Sequence, residues 1–201
     1  MLEARIQHHF FETADLLYQV AESLSRPIAE AAQAAVGCLT AGGKLLACGQ
    51  GGDADLAAVL CGAMTFRFER ERPPLAALAL GPGLGRPLAP PPAPGHGEDA
   101  LSAQLRALGQ PGDLLVVFAG LQNEDPALRA VVQAAHQQEM SVVLFTGGDP
   151  GAWPDLLAET DVWVPVATAR PARVRELHLL AVHALCDAID IQLLGDDASP
   201  A

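Results

Sequence analysis

The stretch Cys48-Gly49-Gln50-Gly51-Gly52-Asp53-Ala54 is where residue type and spacing most directly suggest chemistry. It follows an apolar run and opens a helical pattern, so its glycines can bring backbone N–H groups and a helix start against an anion. No Gly-Lys-Ser/Thr follows it and its glycines lack the dinucleotide spacing, which leaves an anion cradle and a plain tight turn both open. His178 and His183 stand five apart, about 140° around a helix, and so do not form an i,i+4 metal pair. His8, His9 and His96 have no identifiable partner. Cys38, Cys48, Cys61 and Cys186 form no CxxC pair and read as small buried hydrophobes. Neither a metal site nor a cofactor motif is expected. The run from Arg67 to Arg72 alternates in sign and reads as a solvated, self-paired helix end, while Trp153 and Trp163 read as core or interface anchors.

The elements that must position these groups follow a regular rhythm. Apolar runs from Lys44 to Cys48, Leu75 to Leu80, Asp113 to Phe118, Ser141 to Thr146 and Asp161 to Pro165 have the length of buried strands. Helical patterns lie between and after them, from Ala54 to Phe68, Glu98 to Leu108, Pro126 to Gln138 and Arg173 to Leu194. This alternation predicts an α/β fold, a five-stranded parallel sheet flanked by helices, with ligands at the carboxyl ends of the strands. Ahead of it, Leu2 to Leu24 and Pro27 to Thr40 predict a helical pair, split where Ser25 precedes Pro27. The pair (1–41) is expected to serve oligomerisation within the same unit as the main domain (42–194). That domain carries a Pro/Gly-rich surface loop at 81–97, and a flexible tail follows at 195–201.

The whole chain has 201 residues, half of them hydrophobic and 18% charged, which suits a folded domain. Twelve Lys and Arg against twenty-four Asp and Glu give a net charge of −12. That sign argues against direct nucleic-acid binding or a charged membrane surface. The charged N-terminus resembles neither a signal peptide nor a membrane span, so a cytoplasmic location is expected. Leu193 and Leu194, in the last turn before Gly195, are candidates for binding a partner or a second copy.

The segment from Leu46 to Leu80, with Arg106-Ala107-Leu108-Gly109, Thr146-Gly147, Arg173-Val174-Arg175-Glu176-Leu177-His178 and Cys186-Asp187-Ala188-Ile189-Asp190, resembles the sugar isomerase (SIS) domain of the phosphoheptose isomerase branch. Within that family it is most similar to the DnaA initiator-associating type, DiaA. The resemblance implies a homotetramer and a phosphosugar pocket made by two loops, here Gly49, Gln50, Gly51, Gly52 and Asp53, and a second containing Gly120, Asn123 and Glu124. It adds Arg175 and Glu176 from the C-terminal helix.

This sequence departs from the family pattern. Gln50 replaces an Asn, Asp53 a Ser, and the second loop, Ala119 to Glu124, has no serine. Ionised carboxylates accept hydrogen bonds but cannot donate them, and two like charges about 4 Å apart repel by roughly 4 kcal/mol at an effective dielectric of 20. Phosphosugar binding in the usual mode is therefore not expected. The family's His and Glu on the first domain helix align with Val59 and Ala63, and its C-terminal Gln with Arg175; His183 alone survives as a weak catalytic candidate. The reading that follows is a non-catalytic oligomeric adaptor that binds the initiator DnaA and regulates chromosome replication. The alternatives are a D-sedoheptulose 7-phosphate isomerase and a sensor of carbohydrate derivatives.

Overall fold

A computed structural model describes residues 1–84, 100–122 and 125–196. The loop expected at 81–97 and the tail expected at 195–201 lie mostly outside the described residues.

Strands β1 (Leu45–Gly49), β2 (Ala77–Ala79), β3 (Leu114–Gly120), β4 (Ser141–Gly147) and β5 (Val162–Val166) form one parallel sheet in the order β2-β1-β3-β4-β5. Each central strand is apolar along its length because both faces are covered. Side chains alternate between the two layers. Leu45, Ala47, Leu114, Val116, Phe118, Val143 and Phe145 face α1 (Leu2–Thr40), α2 (Ala54–Thr65) and α5 (Pro171–Leu194). Leu46, Leu115, Val117, Val142 and Leu144 face α3 (Ala100–Leu108) and α4 (Pro126–Gln137), with Trp153 fully buried among them. The start of α4 is fixed by Asp125, whose carboxylate accepts from the N–H groups of Ala127 and Leu128 at 2.9 Å, while Pro126 needs no partner for its nitrogen.

The strand order locates the functional crevice. Chain direction around the sheet reverses between β1 and β3, and the loops leaving their carboxyl ends diverge to opposite faces. In open parallel sheets that divergence opens the ligand crevice.

Two expectations need correction. The N-terminal helical pair is a single helix of 39 residues with Pro27 inside it. Pro27 removes one backbone donor, but Leu24 before it and Ala31, Ala32 and Ala35 after it are buried in the same core, so packing carries the helix through. The run from Arg67 to Arg72 is only partly a solvated pair. Arg67 does pair with Glu71. Arg72, however, is buried, bound to Asp190 at 2.5 Å and to the carbonyls of Ala63 and Met64.

Helix α5 is long and apolar enough to cross a membrane by length and composition. Its apolar face is accounted for by the core, where Val174, Leu177, Ala181, Val182, Leu185 and Ile189 are buried.

Candidate functional site

The glycine-rich turn leaves β1 at the crevice. Gly51 takes φ +56°, a conformation that favours glycine. Gly49 sits so close to the backbone of Asp53 that a Cβ there would stand 2.6 Å from its carbonyl group. The turn closes with the Asp53 N–H donating to the Gln50 carbonyl at 3.1 Å, and the same carbonyl receives the Gln122 side-chain amide at 3.4 Å. Gln122 belongs to the loop after β3, so the two crevice loops are tied together directly.

Asp53 is the group at the centre. Its carboxylate lies against Gly120 at the end of β3, where a Cβ would overlap Oδ2. Gly120, at φ +54°, is thus required both by its backbone and by its neighbour. The Asp53 side chain is 12% exposed and Arg175 Nε lies 3.8 Å from Oδ1, close enough for charge attraction but too long for a hydrogen bond. Burial raises the Asp53 carboxyl above its ordinary value, and the Arg175 cation opposes that rise. The guanidinium of Arg175 rests on Gly52, where any Cβ would overlap it, and its side chain is 53% exposed.

The predicted site residues thus separate into those the fold gathers and those it does not. Gly49, Gln50, Gly51, Gly52, Asp53, Gly120 and Arg175 meet at the crevice. Asn123 and Glu124 lie outside the described residues. Glu176 was expected with the pocket, but one position along the helix turns it to α1, where it accepts from Thr13 at 3.1 Å and pairs with Arg173. His183 is half-buried on α5 beside the ring of Phe68, centroids 5.4 Å apart. Phe68 follows the carboxyl end of α2, whereas Asp53 precedes its start, and twelve helical residues span about 18 Å. Within one chain His183 therefore stands away from the crevice. Val59 on α2 is exposed. Leu193 packs partly into the core and Leu194 is exposed, so the candidate pair is divided between two environments.

One polar cluster escaped the sequence reading. Arg173 is buried between α5 and α1, where it binds Thr13, His9 Nδ1 (2.9 Å) and Glu176, while Arg170 holds Glu12. The Arg170 hydrogen bond keeps the Glu12 carboxyl below its usual range. Neither arginine has a sequence pattern that announces a partner more than a hundred residues away. The four cysteines are buried and none is in a disulfide, and burial pushes Cys61 and Cys186 up to about 12, where they behave as hydrophobes.

A doubly wound parallel sheet with a glycine-lined crevice at its switch point, carrying an arginine and a carboxylate, defines a class of α/β proteins that bind small polar ligands between two loops. A model of the SIS domain matches residues 8–147. A phosphoheptose isomerase of Methylibium petroleiphilum is 48% identical over 199 residues, covering 98% of this chain and 97% of that protein. One from Laribacter hongkongensis is 41% identical over 96% and 97% of the two chains. The solved phosphoheptose isomerase of Neisseria gonorrhoeae superposes with a TM-score of 0.81 at 35% identity, covering 94% of this chain and 99% of that one. That of Francisella tularensis gives 0.83 at 32% identity, covering 94% and 98%. The chain belongs to the SIS domain family, in its phosphoheptose isomerase branch. These identities overturn the expectation of a DnaA-binding adaptor of the DiaA type: proteins matching along nearly their whole length are phosphoheptose isomerases.

Proposed function

We propose that this chain is a phosphoheptose isomerase, interconverting D-sedoheptulose 7-phosphate and the corresponding aldose phosphate, and that it works as a homotetramer. The observation that carries this reading is near-full-length similarity to phosphoheptose isomerases, in sequence and in fold. The expected repulsion of a phosphate is answered in part by Arg175. Its guanidinium lies beside Asp53 and over Gly52, so one of the two carboxylates has a cation next to it. Incubating purified protein with sedoheptulose 7-phosphate and following the aldose product by NMR tests the reading. Turnover is expected, and its absence at every pH between 5 and 9 would remove it.

One observation favours a second reading, in which the crevice holds a sugar phosphate without converting it. Val59 and Ala63 offer no acid or base on α2. Calorimetric binding of sedoheptulose 7-phosphate together with no turnover would select this reading.

A further inference from the structure

Asp53 immediately precedes α2, the position from which an aspartate ordinarily accepts from the backbone N–H groups of the helix start. Asp125 does this ahead of α4, with both bonds at 2.9 Å, whereas the Asp53 side chain makes no such bond. It turns instead across the crevice and lies against Gly120 at the end of β3. The residue is 9% exposed, and Arg175 is too far away to donate a hydrogen bond to it. The glycine turn and the guanidinium resting on Gly52 both attract an anion, so an ionised carboxylate between the two crevice loops repels the ligand that its surroundings favour. A buried ionisable group that caps nothing is costly to the fold and is usually retained for a ligand or a proton. Among the described residues, Arg175 on α5 is the one charged group that acts on Asp53. Gly120 and Gln122 border it from the β3 side and Gln50 from the β1 turn, none of them ionisable, and Asp55 on α2 is exposed.

From this geometry we infer that Asp53 joins the ligand in its protonated form, so that the crevice takes up a sugar phosphate together with one proton. The inference rests on the reading above that the crevice holds a sugar phosphate, and it adds the group that sets the charge state in which that ligand is bound. An ionised carboxylate can only accept, but a protonated one carries an O–H donor. That O–H faces the phosphate as a neutral hydroxyl would, and an O–H bonded to an anionic oxygen is one of the stronger hydrogen bonds. With Asp53 neutralised, the positive charge of Arg175 is left to the phosphate, and its half-exposed side chain already reaches over Gly52. Burial raises the Asp53 carboxyl above its ordinary value before any anion arrives, and a phosphate beside it raises it further. Above about pH 6 a phosphate monoester is a dianion, so the proton comes from solvent and affinity falls as pH rises. Below that value the monoanion brings its own proton, and the dependence flattens.

The test uses the heptitol 7-phosphate made by reducing sedoheptulose 7-phosphate with borohydride, which has no carbonyl and cannot isomerise. Titration calorimetry at pH 7.5 in two buffers of different ionisation enthalpy counts the protons taken up, and a series from pH 6.5 to 8.5 gives the slope of affinity. Wild type is expected to take up close to one proton and to lose about tenfold in affinity per pH unit, the linkage for a single proton. Asp53→Asn and Asp53→Ser carry a permanent neutral donor. Each should take up no proton, hold a flat affinity and bind at least about tenfold tighter than wild type at pH 8.5, where protonating the carboxyl costs most. Arg175→Gln should weaken binding about tenfold or more while leaving the proton uptake in place. Binding by wild type without proton uptake overturns the inference, as does uptake that persists in both Asp53 variants, or no binding anywhere between pH 5 and 9. Turnover of sedoheptulose 7-phosphate, followed separately, then still decides the isomerase reading. Proton uptake without turnover leaves the inference standing and removes that reading. Should the Asp53 variants fail to fold, the wild-type proton count decides alone.

Discussion

His178 shows how a single buried group writes a pH dependence into the whole chain. Its Nε2 donates to the Thr146 carbonyl at 3.2 Å, while Nδ1 is buried without a partner. Around it stand the rings of Phe118 and Phe145. Protonating Nδ1 would create a buried cation with no acceptor, so burial lowers the folded-state value from 6.5 to about 4. Below pH 6.5 the unfolded chain binds a proton at this residue that the folded chain refuses. The contribution is therefore fully present above pH 6.5 and is lost as pH falls toward 4, by about 3 kcal/mol. Urea unfolding of wild type and His178→Gln across this range should show the wild type losing that much more stability; parallel pH dependences would refute the assignment. Arg72 and Asp190, each 1% exposed, are a second single-residue case. Asp190→Ala should cost about 3–5 kcal/mol by stranding the arginine, and the double change Arg72→Met, Asp190→Leu should restore much of it. Equal midpoints for the single and double variants in thermal unfolding would contradict this. Neither pairing was legible in the sequence, whereas the family resemblance did put Asp53 and Arg175 in one pocket. Charges contributed by separate elements acquire partners only when the sheet brings those elements together, and the alternating run at Arg67 to Arg72 looked self-sufficient without Asp190.

Elements were more legible than residues because their signal is local. Parallel strands buried on both faces must be continuous apolar runs, and the runs beginning at Lys44, Asp113, Ser141 and Asp161 each mark a strand to within two residues. The turn at Gly49 to Asp53 was legible for the same reason, since three glycines between a strand and a helix leave few geometries. Reading a break at Pro27 failed because a local rule was set against a tertiary one. The missing donor leaves the Ser23 carbonyl without its helical partner, yet Ile28, Ala31 and Ala32 pack beyond it. If packing alone carries the helix through, Pro27→Ala restores a backbone hydrogen bond at no loss of core contact. Its melting temperature should rise, with a gain of about 1–3 kcal/mol. An unchanged or lowered midpoint would mean that proline rigidity or a bend is itself needed for the packing of α1 on α5.

At the scale of the molecule, the isolated chain leaves too much apolar surface on one side. Leu2, Ile6, Phe10, Phe11 and Tyr18 on α1 and Leu180 on α5 are all exposed, and a groove lined by Ala14, Leu17, Tyr18, Ala21, Leu180 and Ala184 runs between the two helices. The first ten residues of α1, Leu2 to Phe11, are exposed, so Leu2, Ile6, Phe10 and Phe11 lie outside the chain's own core. A net charge of −12 keeps copies apart by long-range repulsion, and only a contact that buries considerable apolar area can offset it. The proposed tetramer would cover this face, since a two-fold axis along the groove would set the same helices of both copies against each other. Light scattering on wild type is expected to give four times the chain mass of 20.9 kDa. Placing two carboxylates in the groove, as Tyr18→Glu with Leu180→Glu, should reduce the assembly to smaller species. Both residues are on the surface of the single chain, so its far-ultraviolet circular dichroism should persist. A wild type that elutes as a monomer, or a double variant that keeps its full mass, would show that this face is not what joins the copies.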